Sequence, residues 1–243
     1  MNNDIKKLGT ILGVWAHPDD ETFVSGGLMA AAVENGQTVV CATATRGELG
    51  VQDPLRWPAE TLGATRAIEL IDAFHALGVT HHQWLHYRDG FCKDVPVSEA
   101  VANLMILVEK YQPDTIITFP PDGLTGHEDH KAVSIWSSML AEKSKKPLRV
   151  LHAVASEEKY NSHMKELDEK LNIYFNIEKP KLFQRNECDI VFDLPEEILN
   201  KKITALKAMP SQYAMWLKVF PFEFITQAFS SEQFVWAQVK KSE

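Results

Sequence analysis

The sequence has few cysteines, no long hydrophobic run and a deficit of positive charge. Three widely spaced cysteines, Cys41, Cys92 and Cys188, are too few for a disulfide framework, which favours a reducing compartment. No run approaches the ~20 apolar residues that span a bilayer, and the first residues lack a signal-peptide core. The formal net charge of −8 argues against broad contact with nucleic acid or anionic membrane. These absences predict a cytoplasmic protein with neither a membrane span nor a nucleic-acid partner.

Short apolar runs alternate with stretches of helical periodicity, the pattern of a βαβ chain with a parallel sheet. Strands are predicted at 12–16, 38–45, 84–87, 115–119, 189–194 and 234–239, and helices at 27–35, 58–77 and 97–111. We therefore expect one Rossmann-like α/β domain over residues 1–243, with a mostly parallel sheet flanked by helices. The charged segment 156–188 is predicted to leave the sheet. It forms either one wall of a substrate cleft or a surface insertion without function.

Polar clusters follow four of the predicted strands, at residues 16–21, 45–48, 88–90 and 121–130. In open parallel sheets, ligands bind in the crevice beyond the carboxyl ends of the strands. Four loops that converge on this edge therefore predict an active site. The loop after the first strand holds no Gly-x-Gly-x-x-Gly pattern, which disfavours dinucleotide binding.

The first cluster places His17, Asp19 and Asp20 directly after an apolar strand. Charge is costly there unless a partner neutralises it, and a divalent cation is one such partner. Imidazole and carboxylate ligands suit zinc, with iron or manganese as less selective alternatives. His17 and Asp20 supply two ligands, and His127 or His130 supplies the third. Taken alone, residues 17–20 also fit a turn whose aspartates cap the start of a helix.

These motifs together resemble the LmbE-like and PIG-L-like de-N-acetylases, a family that includes the deacetylases of mycothiol and bacillithiol synthesis. The resemblance lies in Ala16–Glu21 and Gly126–His130, and extends through Thr45–Glu48, Thr65–Leu70, Arg88–Asp89 and a late segment from Lys202 to Gln212. It covers most of residues 10–140 and parts of the remainder.

The resemblance implies a role for each matched residue. It makes His17, Asp20 and His130 the metal ligands, Asp19 the general base, His127 the group that stabilises the oxyanion or protonates the leaving amine, and Arg66 and Asp89 the contacts to sugar hydroxyls. Glu48 is grouped with the substrate-binding residues. Two alternatives for Glu48 are that it supports the catalytic groups and that it is simply a turn residue without a role in the site.

The implied activity is zinc-dependent removal of the N-acetyl group from an N-acetylglucosamine-type conjugate, giving acetate and a free amine. Rivals are an amidase or deacylase acting on a thiol conjugate or a lipid-linked amide, and a metal- or nucleotide-binding module without catalysis. Asp19 argues against the module, because a closed structural zinc site needs no uncoordinated carboxylate. Thr125 and Met209 depart from the family pattern, where Tyr and His are common, so the exact substrate stays open. A homo-oligomer is compatible with the sequence.

Overall fold

The computed structural model describes residues 3–238, in which helices flank a central sheet. The strands are β1 (Ile11–Trp15), β2 (Val39–Thr43), β3 (His81–Trp84), β4 (Thr115–Thr118), β5 (Arg149–Ser156), β6 (Leu182–Phe183), β7 (Ile190–Asp193) and β8 (Ser231–Trp236). The α-helices are α1 (Asn3–Lys6), α2 (Asp20–Glu34), α3 (Ala59–Leu77), α4 (Val97–Tyr111), α5 (Glu128–Lys143), α6 (Glu157–Lys159), α7 (Lys165–Leu171), α8 (Glu196–Lys207), α9 (Pro210–Val219) and α10 (Phe222–Ala228). A π-helical turn covers Tyr160–Met164, and 3-10 turns cover Cys92–Asp94 and Arg185–Glu187.

The strand order is β3-β2-β1-β4-β5-β8-β7, and β6 pairs with β5 beside this path. Strands β3, β2, β1, β4 and β5 are parallel, whereas β8 is antiparallel to both β5 and β7. The chain runs outward from β1 to β3 and then returns to the other side of β1 at β4. This reversal leaves a crevice beyond the carboxyl ends of β1 and β4. The predicted Rossmann-like, mostly parallel sheet is confirmed.

Every residue of β1, β2 and β4 is buried. Such continuous burial is expected where helices cover both faces of a parallel sheet. Helices α2, α3 and α8 pack against one another, and α4 packs against α5. Because β1, β2 and β4 contain no charged residue, the first charges along the chain after β1 appear at the sheet edge itself.

The element predictions hold for most of the sheet core and for two helices. Helix α4 has the predicted bounds, and α3 begins one residue later than predicted. The predicted third strand, 84–87, is misplaced along the chain, since β3 covers His81–Trp84. Strand β3 lies at the edge of the sheet, and its side chains alternate between exposed and half-buried. Helix α2 begins seven residues earlier than predicted and runs through Gly26 and Gly27. A Cβ at Gly27 would lie 2.4 Å from the Leu194 side chain, so this glycine permits close packing and does not end the helix.

The last predicted strand, 234–239, corresponds to β8, which begins three residues earlier; Val239 lies outside the described residues. The three cysteines carry free thiols, as predicted. Over residues 3–238, none of the helices combines the length and the apolar character that crossing a bilayer requires.

A buried ion pair fixes the middle of α2 to the C-terminal part of the chain. Lys202 Nζ on α8 lies 2.6 Å from Glu232 Oε1 on β8, and both side chains are fully buried. The Glu232 carboxylate also accepts hydrogen bonds of 2.7 Å from the backbone amides of Gly27 and Leu28. Lys202 Nζ donates a second bond to the carbonyl of Phe23. Helix α2 is therefore held by charged groups one to two turns after Asp20.

Replacing Lys202 with methionine is expected to lower the free energy of unfolding by about 3–5 kcal/mol, because Glu232 would stay buried without its counter-charge. Lys201→Met is the matched control on the same helix. Its ion pair with Glu34 is 41% exposed on both sides, so less than ~1 kcal/mol of loss is expected. Urea unfolding followed by circular dichroism measures both variants. Equal small losses would contradict the role given to the buried pair.

Candidate active site

The four polar loops predicted from the sequence meet at the carboxyl edge of the sheet. The loop after β1 carries His17 to Asp20, and the loop after β4 leads into α5 with His127 and His130. Asp89 follows β3 and lies 3.0 Å from the His17 ring, between its Oδ1 and the Nε2 of His17. Side chains that are more than a hundred residues apart along the chain are thus brought into direct contact.

A strained turn carries Asp19 from β1 into α2. Its φ is 112°, in the left-handed region that non-glycine residues rarely adopt. Its carbonyl accepts the amides of Thr22 and Phe23, both at 2.9 Å, and so begins the helix. Backbone strain of this kind persists only where the surrounding structure over-determines it, and it clusters at functional sites. The turn places Asp19 and Asp20 side by side at the crevice.

Donor atoms of three side chains converge with the spacing of metal ligands. His130 Nε2 lies 3.3 Å from Asp20 Oδ1 and 3.3 Å from His17 Nδ1, and His17 Nδ1 lies 3.6 Å from Asp20 Oδ2. Ligands at ~2.0–2.1 Å from a tetrahedral zinc ion are separated from one another by roughly 3.3 Å. The cluster of His17, Asp20 and His130 is therefore able to hold a metal ion, and its geometry fits zinc.

In His17 and His130, the ring nitrogen that points away from the cluster lies close to a hydrogen-bond acceptor. This acceptor selects the tautomer that a metal ligand needs. His17 Nε2 lies 3.0 Å from Asp89 Oδ1 and 3.3 Å from Asp129 Oδ2. His130 Nδ1 lies 3.0 Å from the carbonyl oxygen of Gly123. Donation to these oxygens leaves His17 Nδ1 and His130 Nε2 with a lone pair that faces the cluster. Such outer partners fix ring orientation and raise the basicity of the ligand.

Asp129 and Phe119 complete this support, although neither was assigned a role from the sequence. Asp129 is fully buried, and its carboxylate also accepts the amides of Gly90 and Cys92 at 2.7 and 2.9 Å. The Phe119 ring stacks on the His130 ring, with centroids 3.9 Å apart and planes 4° from parallel. Asp129 stands inside the Gly126–His130 motif, so its position was a usable signal; the stacking of Phe119 had none.

His127 stands beside the cluster with a different orientation. Its Nδ1 accepts a hydrogen bond from the backbone amide of Asp129, which caps α5. Its ring meets the His17 ring edge to face, at 4.8 Å between centroids. The sequence left His127 and His130 open as the third ligand; the geometry favours His130, whose Nε2 faces Asp20. His127, His17 and Asp129 form a second group of closely spaced donors, but Asp129 is already committed to three partners.

Arg66 and Glu48 are engaged with the protein itself. Arg66 on α3 is almost fully buried and donates to the carbonyls of Gly47 (2.7 Å) and Pro18. Its Nη2 lies 3.1 Å from Asp19 Oδ2. Glu48 Oε1 accepts the backbone amide of Asp89 at 3.1 Å. These contacts support a role in positioning the site, and contact of Arg66, Asp89 or Glu48 with a sugar stays a prediction.

Burial and mutual charge shift the protonation of the cluster. Burial raises the pKa of Asp19 to about 6 against the opposing charge of Arg66. Burial alone would lower the pKa of His17, but hydrogen bonds to Asp129 and Asp89 raise it to about 10. Burial lowers the pKa of His127 to about 4, so this ring is neutral at pH 7. A bound divalent cation would favour the deprotonated form of each ligand, because only that form coordinates.

A cavity of about 550 Å³ opens directly onto Asp19, Asp20 and His130. Segment 156–188 forms one wall, through Lys159, Met164 and residues 170–175. The segment therefore lines the cavity, as the cleft-wall interpretation predicts, and contact with a substrate stays a prediction. Of the two residues that depart from the family pattern, Thr125 lines the cavity, whereas Met209 is buried in the core.

Comparison with known proteins gives consistent matches. Residues 12–139 match the family described as PIG-L, GlcNAc-PI de-N-acetylase. A 1D-myo-inositol 2-acetamido-2-deoxy-alpha-D-glucopyranoside deacetylase of Saccharopolyspora erythraea is 31% identical over 240 residues, covering 86% of this chain and 79% of that protein. The N,N'-diacetylchitobiose deacetylase of Pyrococcus horikoshii has the same fold, with a TM-score of 0.67 and 22% identity over 97% of this chain and 86% of that one. A zinc-inhibited form of teicoplanin deacetylase also shares the fold, with a TM-score of 0.67 and 16% identity over 96% of this chain and all of that one.

His130→Ala is expected to abolish tight binding of a divalent ion, because it removes one of three protein ligands. Elemental analysis of purified protein is the measurement, and unaltered protein is expected to carry one ion per chain. His81→Ala, which removes an exposed histidine from β3, is the matched control and should keep the ion. Full metal occupancy in His130→Ala would refute the ligand set.

Asp89→Asn is expected to weaken zinc affinity about 10- to 100-fold, the usual effect of losing a partner of a ligating histidine. Competition with a chelator of known affinity measures the change. Asp94→Asn, an exposed aspartate in the following 3-10 turn, serves as control and should leave affinity unchanged. Unaltered zinc affinity together with a raised KM for a sugar substrate would instead place Asp89 at the hydroxyls.

Proposed function

The chain belongs to the PIG-L family of GlcNAc-PI de-N-acetylases, and we propose that it hydrolyses the acetamide of an N-acetylglucosamine conjugate, releasing acetate and a free amine. The proposal depends on one observation. The donor atoms of His17, Asp20 and His130 are spaced as ligands of one metal ion, and the cluster lies beside the Asp19 carboxylate at a cavity. The name of the Saccharopolyspora erythraea relative, a 2-acetamido-2-deoxy-glucopyranoside deacetylase, supports this substrate class. Zinc is the proposed ion, and Fe²⁺ or Mn²⁺ are the alternatives.

When bound by His17, Asp20 and His130, the metal would polarise the acetyl carbonyl and lower the pKa of water at its open position. Asp19 lines the cavity next to these ligands and is the proposed general base. Arg66 contacts Asp19 Oδ2, which leaves Oδ1 to accept a proton from the attacking water. Arg66 also anchors the turn through Pro18 and Gly47, so the orientation of the base is fixed by backbone contacts.

His127 is proposed to stabilise the negative charge that develops on the carbonyl oxygen. Because its Nδ1 accepts the Asp129 amide, the ring hydrogen of neutral His127 is on Nε2, where it can donate. A donor that is already oriented towards the developing charge needs no reorganisation during the reaction. The proton taken up by Asp19 passes to the amine nitrogen as the C–N bond breaks, and the products are the free amine and acetic acid, which ionises to acetate.

Several assignments of the sequence analysis stay proposals. We propose that residues 1–243 form one de-N-acetylase domain, that the protein acts in the cytoplasm on a small-molecule N-acyl amino sugar conjugate, and that Arg66, Asp89 and Glu48 shape its substrate site. Assembly into a homo-oligomer stays open.

An amine-release assay tests the proposed activity. A panel of N-acetyl amino sugar conjugates and simple N-acyl amides is offered to metal-stripped and zinc-restored enzyme. We expect zinc-dependent amine release from the sugars, and a loss of kcat of about 10²- to 10⁴-fold in Asp19→Asn, because the nearly isosteric amide cannot accept the proton. Asp19→Asn should still bind metal. Turnover confined to non-sugar amides would favour the amidase alternative, and an empty metal site in Asp19→Asn would exchange the roles of Asp19 and Asp20.

A further inference from the structure

We infer that the conjugate carries an apolar group, aryl or alkyl, on its aglycone, and that this group occupies the part of the cavity beyond the metal cluster. The inference rests on the proposed function and specifies its substrate class. It starts from the unequal ends of the cavity. One end is formed by Asp19, Asp20 and His130, and the other by aromatic and aliphatic side chains of α2, α9, the α10–β8 connection and segment 156–188.

Three aromatic rings form the floor of the second end. Phe23 stacks on Trp216, with centroids 5.0 Å apart and planes at 27°. Phe229 lies 5.5 Å from each of them. All three line the cavity, so this aromatic triad (Phe23, Trp216 and Phe229) offers ring surface to a ligand as well as to the core. Aromatic surface of this extent binds apolar or aromatic groups.

The aromatic triad begins close to the reacting centre. Phe23 follows the proposed ligand Asp20 by three residues on α2, which places both on the same face of the helix. Three residues of helix correspond to a rise of ~4.5 Å. One molecule that places its acetamide at Asp19 and Asp20 therefore extends over Phe23 without a gap. The lining of the cavity also includes Met164, Leu171 and Ile173 from segment 156–188.

Three charged side chains that line the cavity already have partners within the protein. Glu232 is taken up by Lys202 and two backbone amides, and Lys170 pairs with Glu166. Lys159 donates to the carbonyl of Ser231, and burial lowers its pKa to about 7. Hydroxyls of a polyol aglycone that face the three rings would lose hydrogen bonds to water without a replacement, at a cost for each. An apolar aglycone incurs no such cost and displaces water from the rings.

Substrate length provides the test. N-acetylglucosamine glycosides with methyl, butyl and hexyl aglycones are compared by kcat/KM with the zinc-restored enzyme. Each fully buried methylene is expected to improve kcat/KM by roughly fourfold, so the hexyl glycoside should exceed the methyl glycoside at least tenfold even if its chain is only partly buried. It should also exceed the inositol glycoside. No gain with length, or a preference for inositol, would overturn the inference while leaving the deacetylase activity intact.

Two variants separate ring contact from general damage. Trp216→Ala should remove most of the gain from methyl to hexyl. Leu217→Ala, at the next and more exposed position of α9 (41% exposed), is the matched control and should keep the full gain. Equal losses on both glycosides in Trp216→Ala would mean that Trp216 only supports the fold, and would count against the inference.

Two further measurements cover the remaining outcomes. An N-hexanoyl methyl glycoside that gains as much as the N-acetyl hexyl glycoside would place the apolar group on the acyl side and overturn the aglycone assignment. Equilibrium binding of the hexyl and methyl glycosides to Asp19→Asn, followed by tryptophan fluorescence, does not depend on turnover. At least tenfold tighter binding of the hexyl glycoside supports the inference even if the activity assay fails, whereas equal binding refutes it.

Discussion

The compensation of buried charge at the end of β1 is the constraint on which the site depends. Asp20, Asp89 and Asp129 are all nearly or fully buried around His17 and His130. Each carboxylate has hydrogen-bond donors, and both rings have carboxylate or carbonyl acceptors on the side away from the cluster. Charges in such surroundings are tolerated only when paired. A cation between the three ligand atoms would complete the compensation, since the protein supplies more acid than base here.

Rigid elements keep these charges in place. The left-handed turn at Asp19 sets the direction of α2, and the buried pair of Lys202 and Glu232 holds the same helix further along. Arg66 ties the turn to α3 and to the loop after β2. The proposed base and one proposed ligand thus stand on a helix start that is fixed from both sides. A preorganised site of this kind loses little orientation energy when a substrate binds.

Local signals in the sequence predicted most strands of the sheet, although β5 was missed, and placed His17 and Asp20 in a metal loop. The choice of His130 over His127 came from the resemblance to the family. Buried strands read as apolar runs, and a strand end followed by His and Asp reads as a metal loop. The edge strand β3 was misplaced because its side chains are polar and half-exposed, so its pattern resembles a loop. The start of α2 was missed because Gly26 and Gly27 suggested a boundary, while their actual role is the close approach of Leu194. Phe119 and the pair of Lys202 with Glu232 act through long-range contacts, which no single-sequence pattern encodes, whereas the position of Asp129 inside the Gly126–His130 motif was a usable signal.

The chemistry and the specificity of the site therefore have different origins in the chain. The proposed catalytic groups come from short motifs within residues 12–139, the part that matches the family. The aromatic triad draws Trp216 and Phe229 from beyond that part, and more of the cavity lining comes from segment 156–188. In an α/β fold the strand ends fix reactive groups, while later insertions and C-terminal helices shape what lies beside them. The residues proposed to select the conjugate thus lie mostly outside the part of the chain that matches the family model.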